Sequence, residues 1–399
     1  AKLDSGHGPG AAPCPGEPMR AHQGTASPRA LLAITGAFQA PGGIAAVSRL
    51  VIRSLADEGY RLDVLALAED RPGVLPGYAD PAQLRYRTFG GHKPAFVAAV
   101  WRRLLAGGYD LVLSDHINVA AALAPAGWAG RCRYLVWLCG VEVFAPRPDW
   151  EGRLGLAYAH RRLAISSYTR DSVAGRFPDL PVQVCELALD PVRHAPELPA
   201  RPDPVRPPLC LRAVDGRERV LGSAVILMVG RMLSAERYKG HECLLRALPD
   251  VLQVFPEAQL VLAGSGDDLP RLQALALDLP EAARAQVFMP GYVGDGLLRQ
   301  LYQASYLFAM PSLGEGFGLT FLEAMSYGRA CLGGRLDATP CLVRHGLTGV
   351  LVDDPTSPRQ VAEALCGMLA QPERTAEMGR AGYDLVRSAY LYPHFRERF

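Results

Sequence analysis

The chain has 399 residues and a formal net charge of +2. This length exceeds what one typical hydrophobic core can organise, so two domains are predicted. With 49% hydrophobic and 21% charged residues, the composition is that of a globular protein, which excludes the disordered and fibrous classes. Because the charge is nearly balanced and basic residues form no run longer than two, no nucleic-acid partner is indicated.

The cysteines and the first residues indicate a cytoplasmic protein. Nine cysteines are scattered without a C-x-x-C pair, and their odd number favours reduced thiols over a disulfide framework. Residues 1–28 are rich in Gly, Pro and Ala and have no apolar segment, so we expect a disordered leader and not a signal peptide. No apolar run reaches the length of a membrane span. Peripheral contact with the inner face of a membrane is left open.

The first half alternates short apolar runs with helical runs. Strands are predicted at LLAITGAF, RLDVLALA, DLVLSDH, RYLVWLCG, RLAISS and VQVCELAL, with helices at GIAAVSRLVIRSLADEG, AFVAAVWRRLLAGG and SYTRDSVAGRF. Such alternation is typical of a parallel sheet wrapped by helices. We therefore predict an N-terminal Rossmann-like domain over residues 29–189.

After residue 189 the texture of the sequence changes. Residues 190–222 contain seven prolines and little periodicity, which predicts an interdomain linker. The strand and helix alternation then begins again with AVILMVGR, KGHECLLRALPDVLQVF and AQLVLAGSG, and it continues to YLFAMPS. A second doubly wound domain is predicted over residues 223–384, followed by a helix over residues 385–399.

Residues 310–328 read MPSLGEGFGLTFLEAMSYG, a strand end and a Gly-rich turn followed by an apolar helix. The glycines allow close backbone approach to a ligand, and the amides that open the helix favour negative charge. Two carboxylates, Glu315 and Glu323, suit hydroxyl groups instead. The stretch is therefore typical of a site for a ligand with both phosphates and sugar rings.

This stretch resembles the E-x7-E signature of retaining, nucleotide-sugar-dependent glycosyltransferases of family 4, the glycosyl transferases group 1. The resemblance implies the GT-B architecture, two Rossmann-like domains that face a cleft, with the last helix crossing back onto the first domain. It also implies that Glu315 meets the donor sugar and Glu323 the nucleotide ribose. The adjoining backbone would help to bind the nucleotide, at Gly316, Phe317, Gly318 and Leu319.

A second segment, GRMLSAERYKGH, follows the strand AVILMVG at the place where α/β sheets bind ligands. A departing diphosphate needs fixed cations, and Arg231 and Lys239 suit that task. Only three of the 42 basic residues are lysines (Lys2, Lys93 and Lys239), so a lysine here stands out. The resemblance implies that both cations hold the donor diphosphate.

Other strand-end loops supply further candidates. Gly42 and Gly43 precede a helix and suit a phosphate-facing loop. The resemblance places Gly264 and Ser265 beside the nucleotide, and it places the base near residues 291–293. His116, next to Asp115 at a strand end, could orient or deprotonate an acceptor hydroxyl, with a structural role left as the alternative.

One position departs from the family pattern. Many relatives have a His-Gly-x-Glu sequence where this chain has Cys139, Gly140, Val141 and Glu142. The departure puts in doubt an imidazole role and the usual donor sugar. The segment at Ser166, Ser167, Tyr168 and Arg170 resembles one that approaches the cleft in the family.

Together these features predict a retaining, metal-independent glycosyltransferase that acts by a front-side path. It would move a sugar from a UDP- or GDP-sugar to a glycan, lipid or small-molecule acceptor, with no cofactor and no metal site. Two alternatives are left open: a nucleotide-sugar-binding regulatory protein without turnover, and a sugar-nucleotide epimerase on the same fold. An oxidoreductase is disfavoured, because LLAITGAFQAPGG lacks the G-x-G-x-x-G spacing.

Overall fold

A computed structural model gives the fold of residues 27–39, 42–71, 73, 76–144, 149–194, 198 and 208–399. The predicted leader, except for its last two residues, lies outside these described residues, as do positions 195–197 and 199–207 of the predicted linker. No helix among the described residues is long and apolar enough to cross a membrane.

Seven parallel strands form the first sheet, in the order β3-β2-β1-β4-β5-β6-β7. The strands are β1 (Arg29–Ile34), β2 (Arg61–Ala66), β3 (Leu84–Thr88), β4 (Leu111–Ser114), β5 (Leu135–Leu138), β6 (Arg161–Ala164) and β7 (Gln183–Val184). The helices that connect them are α1 (Gly43–Asp57), α2 (Lys93–Ala106), α3 (Ile117–Ala120), α4 (Ala124–Trp128), α5 (Val141–Phe144), α6 (Trp150–Ala157) and α7 (Ser167–Ala174).

The second half begins with an antiparallel strand pair, β8 (Cys210–Arg212) and β9 (Glu218–Val220). Six parallel strands follow in the order β12-β11-β10-β13-β14-β15. They are β10 (Val225–Val229), β11 (Gln259–Ala263), β12 (Val287–Gly291), β13 (Leu307–Met310), β14 (Ala330–Gly334) and β15 (Gly349–Val352). The intervening helices are α8 (His241–Val254), α9 (Leu269–Leu277), α10 (Glu281–Arg284), α11 (Asp295–Ala304) and α12 (Leu319–Ser326), with 3₁₀ helices at Ser234–Lys239 and Thr339–Cys341.

The apolar runs explain why both sheets are parallel and covered on both faces. Strands β1 and β10 lie inside their sheets, and each pairs with a neighbour on either side. All residues of β1 after the first are buried, and so are the first four of β10. A strand buried on both faces needs a continuous apolar run, and RALLAI and VILMV supply one. The prediction of two doubly wound parallel sheets is therefore confirmed.

The chain ends in three helices, α13 (Pro358–Ala370), α14 (Pro372–Ala389) and α15 (Tyr392–Arg398). The last of them lies against the first domain: the Tyr392 hydroxyl donates to Asp57 at 2.7 Å, and the Phe395 ring stacks on Trp137. Residues predicted as linker include the β8 and β9 pair, and Ala213 bridges to Phe288 of the second sheet. The domain boundaries themselves stay predictions.

Candidate active site at the cleft

The turn that carries Glu315 is hydrogen-bonded to a buried carboxylate. Asp337 is 3% exposed and accepts hydrogen bonds from the Ser312 hydroxyl, from the Glu315 amide at 2.8 Å and from the Thr339 amide at 2.9 Å. The amide of Ala338 in turn donates to the Glu315 carbonyl at 3.0 Å. These bonds fix the backbone of Glu315 between β13 and α12. They therefore also fix the point from which the Glu315 side chain extends.

Arg231 and Lys239 meet at a shared carboxylate. Arg231 follows β10, and Lys239 ends the 3₁₀ helix before α8. The Lys239 ammonium lies 2.9 Å from Oε2 of Glu236, and the Arg231 guanidinium donates to Oε1 of the same side chain. The Lys239 and Glu236 side chains are each 12% exposed. The predicted pair of cations is therefore brought together, and Glu236 lies between them.

Glu315 belongs to the same cluster. Burial raises the pKa of Glu315 above its ordinary value, and the Lys239 ammonium opposes that rise, as does Arg231 to a smaller extent. The backbone also connects the two segments, since the Leu313 amide donates to the Tyr238 carbonyl at 2.9 Å. Residues about 80 positions apart in the sequence thus face one another at the carboxyl ends of β10 and β13.

His241 adds no charge to this cluster. It opens α8, directly after Gly240, and it is 4% exposed. Burial, aided by the neighbouring Lys239 ammonium, lowers the pKa of His241 to about 4. At neutral pH the imidazole is therefore uncharged, and the positive charge beside Glu315 comes from Arg231 and Lys239.

The glycine loop of the first domain reaches this cluster. Gly42 has a φ of 140°, a backbone conformation that residues with a side chain rarely adopt. A methyl group added to Gly42 would lie 3.2 Å from Cζ of Arg231. The α1 helix begins at Gly43 and has no side-chain cap. Its first amides are thus oriented as an anion site requires.

A second carboxylate that the sequence did not single out shapes the loop before Gly42. Glu69 is 1% exposed, and its Oε1 accepts from the amides of Ala37, Phe38 and Gln39 at 2.6 to 2.9 Å. Its Oε2 accepts from the Tyr86 hydroxyl at 2.6 Å. The backbone at the end of β1 is therefore fixed by a residue some thirty positions downstream.

The motif turn touches the first domain directly. The Gly316 carbonyl accepts from the Ser166 hydroxyl at 2.7 Å and from the Thr169 hydroxyl at 3.3 Å. A methyl group at Gly316 would lie 2.4 Å from the Cys139 carbonyl, so a glycine is required there. The Tyr168 hydroxyl also donates across to the Leu336 carbonyl at 3.2 Å. Arg170 instead pairs with its neighbour Asp171.

Cys139 is a neutral thiol in this arrangement. Its Sγ donates to the Asp115 carbonyl at 3.3 Å, and its amide donates to Oε1 of Glu142 at 2.5 Å. Burial, with the nearby carboxylates of Glu142 and Asp115, raises the pKa of Cys139 well above its ordinary value. The thiol therefore carries no charge at neutral pH.

Asp115 and His116 bind different parts of the first domain. Asp115 is 1% exposed and points inward, where it accepts from the Thr35 amide and the Ser48 hydroxyl, both at 2.8 Å. Burial raises its pKa to about 6. His116 caps α3, because its Nδ1 accepts from the Asn118 amide at 3.1 Å. The Asp115 carboxylate is therefore engaged inside the first domain, and a role of His116 toward an acceptor stays a proposal.

Glu323, on α12, lines a pocket of its own. Its Oε2 accepts from the Tyr302 hydroxyl at 2.8 Å, and the Tyr302 ring stacks on Tyr327 with centroids 5.4 Å apart. Arg193 and its neighbour His194, which follow the first domain in the chain, line the same pocket. The Tyr302 hydroxyl thus holds the carboxylate that the motif predicts as the partner of the ribose.

The remaining predicted residues differ in whether they reach the site. Gly264 and Ser265 lie beside the cation cluster, because the Gly230 amide donates to the Ala263 carbonyl and the Met232 amide to the Ser265 carbonyl. Phe317 does not reach the cleft with its side chain, which is 2% exposed and packs on the Tyr390 ring. Gly318 and Leu319 open α12, so there the backbone faces the site.

Comparison with known proteins places this geometry in context. Residues 223–371 match the family model described as glycosyl transferases group 1. The chain is 32% identical over 228 residues to a GDP-mannose-dependent alpha-(1-6)-phosphatidylinositol monomannoside mannosyltransferase of Mycolicibacterium smegmatis, which covers 55% of each chain. It is 26% identical over 259 residues to the alpha-maltose-1-phosphate synthase of the same organism, which covers 63% of this chain and 64% of that protein. The chain thus spans 55% and 64% of the length of these two curated relatives.

Solved structures resemble the whole fold. Anabaena HepE in complex with UDP and glucose has a TM-score of 0.69 at 18% identity, over 93% of this chain and 98% of that one. The sucrose-phosphate synthase of Thermosynechococcus elongatus has a TM-score of 0.71 at 20% identity, over 93% of this chain and 97% of that one. The predicted GT-B architecture is therefore confirmed.

Proposed function

We propose that this chain, whose residues 223–371 belong to the glycosyl transferases group 1 family, is a glycosyltransferase that uses a nucleotide-sugar donor. One observation carries the proposal: Glu315, Arg231 and Lys239 meet at the carboxyl ends of β10 and β13, beside the Gly42 loop. A carboxylate for sugar hydroxyls next to two cations for a diphosphate is what such a donor needs.

The donor is proposed to be a UDP- or GDP-sugar. A relative with 32% identity is GDP-mannose-dependent, and a structure with the same fold binds UDP and glucose. In the proposed arrangement Glu315 holds the donor sugar and Glu323 the ribose, while Arg231 and Lys239 neutralise the charge that grows on the departing diphosphate. The amides of α1 and α12 add to that charge stabilisation.

The proposed mechanism retains the configuration of the donor sugar. A leaving phosphate oxygen takes the proton of the acceptor hydroxyl on the same face, within a short-lived oxocarbenium-like ion pair. The protein then contributes positioning and charge stabilisation, and it needs no strong base. The neutral Cys139 thiol and the inward-facing Asp115 are compatible with this path.

A donor panel with a chelator tests this function. We expect the protein to transfer sugar from one of UDP-glucose, UDP-N-acetylglucosamine or GDP-mannose to an acceptor, and to do so in excess EDTA, because its proposed electrophiles are side chains and amides. Proton NMR of the product is expected to show the α configuration of the donor. Nucleotide binding without turnover would favour the regulatory alternative, and activity restored only by Mg²⁺ or Mn²⁺ would refute metal independence.

We also propose peripheral membrane contact, with a cytoplasmic location, through one face of the first domain. On α2 the side chains of Trp101 and Leu105 are 44% and 75% exposed, and Trp128 and Trp150 on neighbouring helices are exposed as well. The Lys93 ammonium joins α2 to α6 through Glu151 at 2.9 Å. Exposed Trp and Leu on a helix that also carries the exposed Arg102 favour a membrane surface.

Vesicle sedimentation tests this contact. Replacing Trp101 and Leu105 together by Ser should reduce binding to anionic phosphatidylglycerol vesicles about 30-fold, because each removed apolar side chain contributes on the order of 1 kcal/mol to insertion. The matched control is Leu277→Ser, an exposed leucine at the end of α9 in the second domain. Equal binding of the double variant and the wild type would contradict the contact.

A further inference from the structure

We propose that Glu236 is a positioning residue that holds Arg231 and Lys239 at the separation needed to grip the donor diphosphate. The inference rests on the proposed function, and it concerns a carboxylate that would touch the cations and not the sugar. Its two oxygens are divided between the two cations, Oε1 to Arg231 and Oε2 to Lys239. A single side chain therefore sets how far apart the two charges lie.

The local backbone explains how Glu236 reaches Lys239. Glu236 and Lys239 are three positions apart in the 3₁₀ segment Ser234–Lys239, which bends at Glu236, where φ is −119° and ψ is 28°. With this bend, the Glu236 carboxylate lies 2.9 Å from the Lys239 ammonium. Arg231 comes from a different element, the loop after β10. Glu236 thus joins a cation on its own helix to one on the neighbouring loop.

The charges explain why a carboxylate is needed at this position. Two cations near each other repel, and water screens this repulsion from the side of Arg231, which is 40% exposed, more than from the side of Lys239, which is 12% exposed. A carboxylate between them offsets that repulsion. An ammonium has three donors and a guanidinium has five, so contact with Glu236 does not exhaust the hydrogen-bonding capacity of either group.

A neighbouring carboxylate offers a matched control. Glu242 on α8 also joins two cations, with Oε1 2.9 Å from Arg246 and Oε2 2.6 Å from Arg271, but this network lies on the outer part of the helix and is more exposed. Glu236→Gln and Glu242→Gln therefore make the same chemical change to two similar networks. Only the first of these networks contains Arg231 and Lys239.

Binding of diphosphates and nucleosides separates positioning from a general structural role. Affinities of UDP, GDP and ADP are measured by calorimetry, and those of uridine, guanosine and adenosine by ligand-observed NMR competition. Glu236→Gln should weaken the preferred diphosphate about tenfold, the usual effect of losing hydrogen bonds to charged groups, and leave its nucleoside within about twofold. Glu236→Asp, which keeps the charge on a shorter side chain, should recover part of the loss, and Glu242→Gln should match the wild type.

A double-mutant cycle completes the test. If Glu236 acts through Lys239, adding Glu236→Gln to Lys239→Ala should cost less than it does in the wild type. Tighter diphosphate binding by Glu236→Gln would overturn the proposal, because Glu236 would then compete with the donor, and so would equal losses of nucleoside and diphosphate. If Lys239→Ala binds diphosphate like the wild type, or the wild type binds none, the proposed function fails and this inference falls with it.

Discussion

Lys239→Ala is expected to lower kcat on the order of 100- to 1000-fold, the usual loss when a fixed group that stabilises transition-state charge is removed. The Lys239 ammonium is largely buried, is held by Glu236 at 2.9 Å, and lies near Glu315. Water cannot replace a positioned charge in such a site without reorganising. Steady-state kinetics with the donor identified in the panel measures the effect.

Arg237→Ala is the matched control for this prediction. Arg237 lies on the same 3₁₀ segment as Lys239, but its guanidinium is 55% exposed and pairs with Asp268 at 2.9 Å. Because Arg237 is more than half exposed and the buried Asp268 keeps a second partner, Arg271 at 2.7 Å, removal of Arg237 should change kcat by less than about threefold. Equal defects in the two variants would indicate that the segment as a whole supports the fold and that Lys239 has no special charge role.

The proposed mechanism requires Cys139→Ala to lower kcat less than Lys239→Ala does. If the transferred proton goes to the donor phosphate, the side chain at 139 needs no basicity, and its loss should cost less than about tenfold in kcat, or roughly 1.4 kcal/mol. The raised pKa of the thiol agrees with a side chain that stays neutral. A larger defect for Cys139→Ala than for Lys239→Ala would refute the charge-stabilisation mechanism.

The sequence predicted the central strands well because each is a continuous apolar run. The predicted run AVILMVG contains β10 (Val225–Val229), and the predicted run KGHECLLRALPDVLQVF contains α8 (His241–Val254). Residues 223–371, which include Glu315 and Glu323, match the model of the glycosyl transferases group 1, the family that these two residues predicted. These features are local, so they can be recognised within a window of ten to twenty residues.

Edge elements were missed for a physical reason. Strand β3 (Leu84–Thr88) reads LRYRT, and because it pairs only with β2, no continuous apolar run is needed there. The pair β8 and β9 lies in the Pro-rich stretch and has three residues in each strand. Strands this short carry no recognisable periodicity, and the contact between Ala213, in the turn that joins them, and Phe288 of the second sheet is not visible in the local sequence.

The supporting carboxylates could not be found from spacing alone. Asp337 binds the Glu315 amide from 22 positions away, and Glu69 binds three amides from about 30 positions away. Glu236 stood inside a segment that was singled out, but the sequence gives no sign that one carboxylate contacts both cations. Such contacts depend on how the strands are ordered in the sheet, and that order appears only in the folded chain.

Glu323→Ala is expected to weaken nucleotide binding by about 1.5 to 3 kcal/mol, the range for hydrogen bonds that involve a charged group. The half-buried carboxylate is fixed by the Tyr302 hydroxyl at 2.8 Å, so it can accept from ribose hydroxyls without further ordering. Calorimetry with the preferred nucleoside diphosphate measures the loss.

The contrast with Glu315 makes this last prediction specific to the ribose. Glu315→Gln should reduce turnover and leave free nucleotide affinity near that of the wild type, because its proposed partner is the donor sugar. Glu323→Ala also leaves the buried Tyr302 hydroxyl without its acceptor, so thermal unfolding must be measured beside binding. Glu323→Gln keeps an acceptor for Tyr302 and loses the charge, so it separates nucleotide binding from stability. We expect this variant to bind the nucleotide more weakly at unchanged thermal stability. Unchanged nucleotide affinity in both Glu323 variants would refute the ribose role.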